Sequence, residues 1–262
     1  MAANLSLRHR IATSALSHPV GAARAMLNRL RGVQRPELGL LRAEDAMMDA
    51  VLGRLVKPDF RCLDIGAHVG SVTYKLASLA RRGSVTVIEA SPTKAAMLRK
   101  RFPDHTVHEV AVSDTAGQVT FFENADAPGY SSLTNRSVRG AVTEINVKSV
   151  RLDDLFPDTD FDFIKIDVEG HEFAALSAAS GMIARCHPII LFEAGAHDDV
   201  DISPESYIKL FRLLTETFDY DVRAVFDVYY GRAPIDLTAF VSYRTYPFLA
   251  FNYIAQPKAV QQ

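Results

Sequence analysis

Residues 61–70, which read RCLDIGAHVG, decide the fold. The apolar segment Arg61–Ile65 has the composition of a buried β-strand, and a helix is predicted at about residues 70–80. Gly66 and Gly70 let the chain turn sharply between the two and let a ligand approach the backbone. Many α/β proteins contain a turn of this kind, so its meaning depends on the rest of the chain.

The alternation of short apolar strands with helices continues to about residue 194. The predicted strands are Arg61–Ile65, Ser84–Glu89, Thr106–Val112, Phe161–Val168 and Pro188–Glu193, and the helices lie at about residues 70–80, 92–102, 171–180 and 204–217. This order is typical of a doubly wound α/β fold, in which helices cover both faces of a mostly parallel sheet. We therefore expect such a sheet at the centre of the protein.

Three further segments depart from this alternation. Residues 41–56 have the apolar periodicity of a helix. Gln118–Glu123 and Glu144–Val150 alternate between polar and apolar residues like an antiparallel pair, and the polar loop 124–140 joins them. Residues 221–255 predict two more strands that form a hairpin with a long loop.

The composition is that of an ordinary soluble globular protein. The 262 residues are 48% hydrophobic and 23% charged, and no apolar run approaches the roughly 20 residues that span a bilayer. Cys62 and Cys186 fall in predicted buried segments, and nothing in their spacing indicates a disulfide framework. We therefore expect a cytoplasmic protein.

The charge is unevenly distributed along the chain. Six arginines precede Glu37, which is the first acidic residue, although the net charge is only −2. Residues 1–40 are therefore interpreted as a basic, partly helical extension, and residues 41–262 as the main domain, with its core at 60–255. The extension could pack on this domain, contact an anionic membrane surface, or act as a transit peptide. The acidic remainder argues against binding of nucleic acid.

An acidic residue lies at or next to the end of each predicted strand. In open α/β sheets, ligands bind at these carboxyl ends. The acidic residues are Asp64, Glu89, Asp114 (after Ser113), Asp167 and Glu193. Glu89 lies 23 residues after Gly66, and an acid at about this separation usually binds the ribose hydroxyls of a nucleotide-like cofactor. Any single one of these residues could instead cap the following helix.

The turn after the first strand favours S-adenosyl-L-methionine over a dinucleotide. The dinucleotide motif G-x-G-x-x-G needs its second glycine so that the pyrophosphate can reach the backbone, and His68 occupies that position. A row of carboxylates would also repel a pyrophosphate, whereas it suits a cofactor that carries a sulfonium charge. The chain has no G-x-x-x-x-G-K-[ST] phosphate loop.

These residues resemble the FkbM family of methyltransferases. Residues 64–70, DIGAHVG, are similar to the family's Asp-Ile-Gly-Ala-Asn-x-Gly turn, and residues 165–172, KIDVEGHE, match its Lys-x-Asp-Val-Glu-Gly-x-Glu run. Shorter similarities lie at residues 89–92, 111–113, 131–133 and 150–153, and the resemblance covers about residues 60–255. The chain departs from the family at His68, where members have Asn.

The resemblance implies a Rossmann-like class I methyltransferase domain, with a seven-stranded sheet whose last strand is antiparallel. It also implies transfer of a methyl group to an oxygen, often on a sugar or a polyketide. Its implied cofactor contacts are Asp64, Gly66, Ala67, His68 and Gly70 at the turn, Glu89 at the ribose, Ser113 and Asp114 at the adenine edge, and Asp167 at the methyl-transfer centre.

A hydroxyl acceptor must lose its proton, so a nearby base is expected. The candidates are Asp167, Glu169, His171 and Glu193. His171 could instead point into solvent from a first helical turn, and Glu169 could only favour a helix N-terminus. We expect no metal ion, although one alternative set contains oxygen ligands that Mg²⁺ accepts: Asp167, Glu193, His197, Asp198 and Asp199.

Two other functions fit the same sheet. One is a nicotinamide-dependent oxidoreductase, and the other is a non-catalytic protein that binds a cofactor or serves as a scaffold. The turn at His68 argues against the first, and the intact KIDVEGHE run argues against the second. The favoured substrate is a hydroxylated small molecule or glycan, which would meet the loops at 124–140 and 195–203.

Overall fold

A seven-stranded sheet lies at the centre of the fold. The computed structural model describes residues 37–124, 133, 142–195, 204–245 and 248–258. Within these residues the strands are β1 (Arg61–Ile65), β2 (Ser84–Ile88), β3 (Thr106–His108), β4 (Ala111–Val112), β5 (Gly117–Asn124), β6 (Val142–Val150), β7 (Phe163–Ile166), β8 (Ile189–Glu193), β9 (Tyr220–Ala224) and β10 (Asn252–Pro257). The large sheet has the order β3-β2-β1-β7-β8-β10-β9, and a smaller sheet has the order β4-β6-β5.

The strand order of the large sheet reverses between β1 and β7. The chain first builds outward from β1 through β2 to β3, and β7 then returns to pair with the other side of β1. Pairing is parallel from β3 to β8, whereas β10 is antiparallel to both β8 and β9. Ligands bind outside the carboxyl ends of the strands at such a reversal. The predicted doubly wound sheet and its antiparallel last strand are confirmed.

Helices alternate with these strands along the chain, and the first helix precedes β1. They are α1 (Glu37–Leu55), α2 (Ser71–Leu79), α3 (Pro92–Arg101), α4 (Leu152–Leu155), α5 (Glu172–Ser177), α6 (Ser180–Cys186), α7 (Pro204–Arg212), α8 (Val225–Tyr229) and α9 (Leu237–Tyr243). A π-helical turn, Leu213–Thr217, extends α7. The helices predicted at about residues 70–80, 92–102 and 204–217 are confirmed, and α1 begins four residues before its predicted start at residue 41.

The single helix predicted at about residues 171–180 is wrong, because α5 and α6 take its place. Asp153 accepts hydrogen bonds from the backbone N–H groups of Gly181, at 3.0 Å, and Met182, at 2.8 Å. These bonds satisfy backbone donors at the start of a new helix. Because Asp153 precedes Gly181 by 28 residues, the local apolar periodicity cannot reveal the break.

The smaller sheet corrects a second prediction. The antiparallel pair predicted at residues 118–123 and 144–150 is confirmed by β5 and β6. The strand predicted at Thr106–Val112, however, is two strands: β3 pairs with β2, whereas β4 pairs with β6. Each half is apolar enough to be a strand, but the two halves find different partners. Ser113 and Asp114 consequently follow the small sheet and not the third strand of the large one.

An apolar core supports the carboxyl edge of the large sheet. Ile65 and Ile166 at the ends of β1 and β7 are completely buried, and Leu176 of α5 and Leu210 of α7 belong to the same core. Both cysteines are free thiols. Among the helices in the described part of the chain, none combines the length and the apolar character that crossing a bilayer requires.

Residues 1–47 and 48–262 form two separate units. Of the first unit, the structure describes only residues 37–47, which belong to α1. Nearly all of the basic extension at residues 1–40 therefore lies outside the described residues. The division of the chain into this extension and a domain at 41–262 stays a prediction.

Candidate active site

The turn after β1 is held against the end of β2 and against β7. The N–H groups of Gly66 and Ala67 donate to the carbonyl oxygen of Ile88 at 2.9 and 3.2 Å. Gly66 has φ +72°, and a Cβ atom at this position would lie 1.8 Å from the carbonyl oxygen of Asp167. No side chain fits there. Glycine is therefore required where the ends of β1 and β7 come closest.

The second glycine of the turn is explained by packing. Gly70 precedes α2 with φ +80°, and a Cβ atom there would lie 2.5 Å from Phe102 and 2.8 Å from Leu98. Leu98 belongs to α3, and Phe102 is the residue that caps the end of α3. Gly70 thus allows α3 to pack closely against the turn. Between the two glycines, His68 has φ +53°, a strained conformation for a residue with a side chain.

A buried lysine joins the turn to the end of β7. Lys165 Nζ donates to the carbonyl oxygen of Gly66 at 2.8 Å and lies 3.5 Å from Asp64 Oδ1 and 3.4 Å from Asp167 Oδ2. Burial alone would lower the pKa of Lys165, but the attraction of Asp167, Asp64 and Glu193 outweighs it and holds that pKa above its usual value. The ammonium group therefore stays charged and offsets part of the negative charge of the two carboxylates.

Asp64 lies beneath the turn and is fully buried. Its Oδ2 atom accepts a hydrogen bond from Thr73 Oγ1 at 2.5 Å, and its Oδ1 atom faces Lys165. Thr73 belongs to α2, so the carboxylate links β1 to the helix that follows the turn. The sequence predicted a direct cofactor contact for Asp64. The structure gives it a supporting position, and the contact itself stays a prediction.

Glu89 follows β2, and its side chain binds the backbone of the turn at His68. Its Oε2 atom accepts from the His68 N–H at 2.8 Å, and its Oε1 atom accepts from the Ser91 N–H at 2.9 Å. The residue is only 5% exposed. Burial raises the pKa of the Glu89 carboxyl, whereas nearby Lys94 and the two backbone donors act to lower it. Each oxygen keeps a further lone pair for a ligand.

The segment after β7 forms a second strained turn. Glu169 has φ +53° and Gly170 has φ +95°. Glu172 Oε1 holds this turn by accepting from the N–H groups of Val168, at 3.1 Å, and Gly170, at 3.2 Å. Burial, with a smaller repulsion from Asp167, raises the pKa of Glu172 to about 7. Glu172 thus fixes the backbone of this turn.

A cavity of about 270 Å³ lies between these two turns. The predicted site residues that line it are Gly66, Ala67, His68, Glu89, Asp167 and Glu169. Its opposite wall is apolar and comes from the small sheet and the segments beside it: Val110, Ala111, Val112, Phe121 and Leu133. The cavity therefore has a carboxylate-bearing side and an apolar slot, which is the composition of many small-molecule sites.

Several predicted site residues do not line this cavity. They are Asp64, Gly70, Ser113, Asp114, His171 and Glu193. Ser113 and Asp114 are displaced because β4 joins the small sheet, and their contact with an adenine edge stays a prediction. His171 precedes α5, where its carbonyl oxygen accepts from the Ala175 N–H at 3.0 Å. Burial, and then repulsion by Asp167, Glu169 and Glu172, raises the pKa of Glu193.

The alternative metal set is only partly described. His197, Asp198 and Asp199 lie outside the described residues, as does almost all of the loop at 124–140. Elsewhere, the described residues contain no group of three or more His, Cys, Asp or Glu side chains that could hold a metal ion.

Sequence reasoning missed Lys94, Lys165 and the apolar slot. Lys165 had a signal, because it is the one charged residue in the otherwise apolar strand FIKI, residues 163–166. No such signal marks Lys94, since its position near the start of α3 is one where an exposed lysine is also expected. Phe121 and Leu133 reach the cavity through tertiary packing, since Phe121 belongs to β5 and Leu133 packs against the core of the small sheet.

The fold of this chain is similar to that of solved methyltransferase structures. Methyltransferase FkbM from Methylobacillus flagellatus KT matches with a TM-score of 0.50 and 17% identity over 76% of this chain and 44% of that one. The chain thus spans less than half the length of that protein. The O-methyltransferase from Bacillus cereus in complex with SAH matches with a TM-score of 0.46 and 14% identity, over 84% of this chain and 89% of that one.

At these identities the comparison concerns the fold alone. The strand order and the FkbM structure together confirm the class I methyltransferase fold that the sequence resemblance implies. No curated protein matches the sequence. A family model, the methyltransferase FkbM domain, matches residues 64–221, which is more than half of the chain. The chain therefore belongs to the FkbM methyltransferase family.

Proposed function

We propose that this chain is an S-adenosyl-L-methionine-dependent methyltransferase that methylates a hydroxyl oxygen. Family membership supports methyl transfer. The observation on which the cofactor rests is Glu89, a buried carboxylate fixed by two backbone N–H groups at the edge of a cavity. A carboxylate in this position can accept hydrogen bonds from both hydroxyls of a ribose.

The cavity suits S-adenosylmethionine better than a dinucleotide. Glu89 would hold the ribose, and the apolar side chains of Val112, Phe121 and Leu133 would cover the adenine ring. The cofactor would supply a methyl group on a positively charged sulfur, and the carboxylates of Asp167 and Glu169 on the cavity wall suit that charge. The same carboxylates would repel a pyrophosphate, and the backbone beside His68 is already bonded to Glu89.

Asp167 and Glu169 are our candidates for accepting the proton of the hydroxyl, because both line the cavity. The Asp167 side chain is 31% exposed and is oriented by Lys165. A base within hydrogen-bond reach contributes about 10²- to 10⁴-fold to such a reaction, and alignment of the acceptor oxygen contributes the rest. His171 and Glu193 remain weaker candidates, because neither lines the cavity.

The proposed acceptor is a sugar, a glycolipid or polysaccharide, or a polyketide-like natural product. We further propose a cytoplasmic enzyme whose basic residues 1–36 bring it to anionic lipid when the acceptor is membrane-bound. Deletion of residues 1–36 should then abolish co-flotation with anionic vesicles and leave cofactor binding intact. Unchanged flotation would refute the membrane proposal alone.

Calorimetric titration with S-adenosylmethionine and S-adenosylhomocysteine tests the central proposal. We expect micromolar binding to the wild type, loss of binding in Glu89→Ala, and normal binding in the control Glu144→Ala, which changes an exposed residue of β6. Absence of binding to either ligand, with thermal stabilisation by NAD, would favour the oxidoreductase. Binding without transfer of labelled methyl groups to any of a broad set of hydroxylated acceptors would favour a non-catalytic protein.

A further inference from the structure

We propose that Lys94 is a ribose-binding residue that donates hydrogen bonds to the same hydroxyls from which Glu89 accepts them. This inference rests on the proposed function, since it assigns one more contact to the S-adenosylmethionine cavity. It concerns a residue of α3 for which the sequence predicted no part in binding.

Lys94 is buried at a place where lysine is usually exposed. It is the third residue of α3, and its backbone N–H donates to Ser91 Oγ at 3.3 Å. It is nevertheless only 5% exposed, and it lines the cavity beside Glu89. Fully buried lysines are rare unless a partner compensates their charge. The side chain therefore has to be explained by what surrounds it in the cavity.

Carboxylates from three parts of the chain surround this ammonium group. Burial lowers the pKa of Lys94, and the attraction of Glu89, then Glu123, Glu169 and Asp167, opposes that effect. Glu89 is the strongest of these partners. Glu123 of β5 also accepts a hydrogen bond from Ser91 Oγ, so the small sheet is tied to the start of α3. The buried ammonium group thus shares the cavity with Glu89, the residue assigned to the ribose.

The chemistry of a ribose requires both donors and acceptors. Each hydroxyl can donate one hydrogen bond and accept others, whereas an ionised carboxylate only accepts. Both oxygens of Glu89 already accept one backbone N–H each, so this residue offers nothing but further acceptor capacity. An ammonium group has three donors. Lys94 beside Glu89 therefore completes the set that a pair of neighbouring hydroxyls can use.

A position at the ribose also agrees with the charge of the cofactor. The ammonium group of Lys94 would repel the sulfonium if the two lay side by side away from bulk water. The ribose end is uncharged, and Glu89 attracts Lys94 more strongly than Asp167 and Glu169 do. The alternative is that Lys94 only neutralises Glu123 and has no contact with the ligand.

Substitution of Lys94, combined with removal of single ribose hydroxyls from the ligand, distinguishes a ribose contact from neutralisation of Glu123. The probes are S-adenosylhomocysteine and its 2′-deoxy and 3′-deoxy analogues, titrated by calorimetry into the wild type and Lys94→Met. The matched control is Lys100→Met, which removes an exposed lysine from the same helix. Lys94→Gln, which keeps a donor without a charge, serves as a second variant, and thermal unfolding checks that each variant is folded.

We expect Lys94→Met to weaken binding of S-adenosylhomocysteine by about tenfold or more, as for loss of a charged hydrogen bond, and Lys100→Met to bind normally. At least one deoxy analogue should bind the wild type and Lys94→Met almost equally, because the contact is already absent. Equal affinity of both proteins for S-adenosylhomocysteine, or fully additive losses for both analogues, would overturn the role of Lys94. A wild type that binds none of the probes would overturn the proposed function itself.

Discussion

Replacement of Glu172 by glutamine should make the protein more stable at pH 8 than the wild type, and this gain should disappear at acidic pH. Glu172 is 1% exposed, and its Oε1 atom accepts from two backbone N–H groups. The carbonyl oxygen of a glutamine can accept the same two bonds. The substitution therefore keeps the turn at residues 168–170 and removes only the negative charge that appears when the carboxyl ionises.

The magnitude follows from the pKa of this carboxyl. Burial raises it from 4.5 to about 7. The folded protein thus binds the proton more tightly than the unfolded chain, so wild-type stability falls as the pH rises from 4.5 to about 7 and is fully reduced above that range. A shift of this size corresponds to about 3 kcal/mol at most. The buried amide of glutamine needs an acceptor of its own, which would offset part of the gain at every pH.

Urea unfolding of the wild type and Glu172→Gln at pH 5 and pH 8 measures this difference. The quantity of interest is the change with pH of the stability difference between the two proteins, because constant effects of the amide then cancel. Glu89 and Glu193 also have raised pKa values and are present in both proteins. Because repulsion by Glu172 contributes to the raised pKa of Glu193, part of the pH-dependent difference acts through that residue. Glu144→Gln, at an exposed site, should show no such change. A pH-independent difference between wild type and Glu172→Gln would refute the reasoning.

Two further substitutions test the contact between the ends of β1 and β7. Gly66→Ala should destabilise the protein by at least about 1–3 kcal/mol and abolish binding of S-adenosylhomocysteine, because its Cβ atom would lie 1.8 Å from the carbonyl oxygen of Asp167; a wild-type melting temperature would contradict this. Lys165→Met leaves Asp64 buried without its cation and should cost about 3–5 kcal/mol in urea unfolding. An equally stable Lys165→Met variant would show that Thr73 alone satisfies Asp64.

The strands of the large sheet could be predicted from the sequence because turn residues mark their ends. β1 begins and ends as predicted, and β2, β7 and β8 differ from their predictions by only one or two residues at any end. The prediction fails at residues 106–112, because nothing in this short segment, TVHEVAV, shows that its two ends pair with different strands. Which partner a strand pairs with depends on tertiary packing, and strand propensity contains little information about it.

The candidate site was predictable to the extent that it follows from strand ends. Glu89 and Asp167 line the cavity because the carboxyl ends of parallel strands share one edge of the sheet. Phe121 and Leu133 could not be found in this way, since Phe121 lies in the small sheet and Leu133 packs against it. Lys94 was missed for a different reason: a lysine near the start of a helix is expected to be exposed, and only its surroundings in three dimensions bury it.

The motifs at residues 64–70 and 165–172 contact each other in the structure. Some of their residues are explained by this contact, and these residues are weaker signs of a ligand. β1 and β7 pair in parallel, with Asp64 opposite Lys165. Two residues further along each chain segment, Gly66 lies against Asp167. A glycine at position 66 would be needed for this close approach of the two backbones even in a protein that binds no ligand. Glu89 is different, because its burial raises its pKa and so opposes folding with a charged carboxylate. The pairing of β1 with β7 does not require Glu89, and both of its oxygens keep lone pairs beside the cavity, so Glu89 is the stronger sign of a cofactor site.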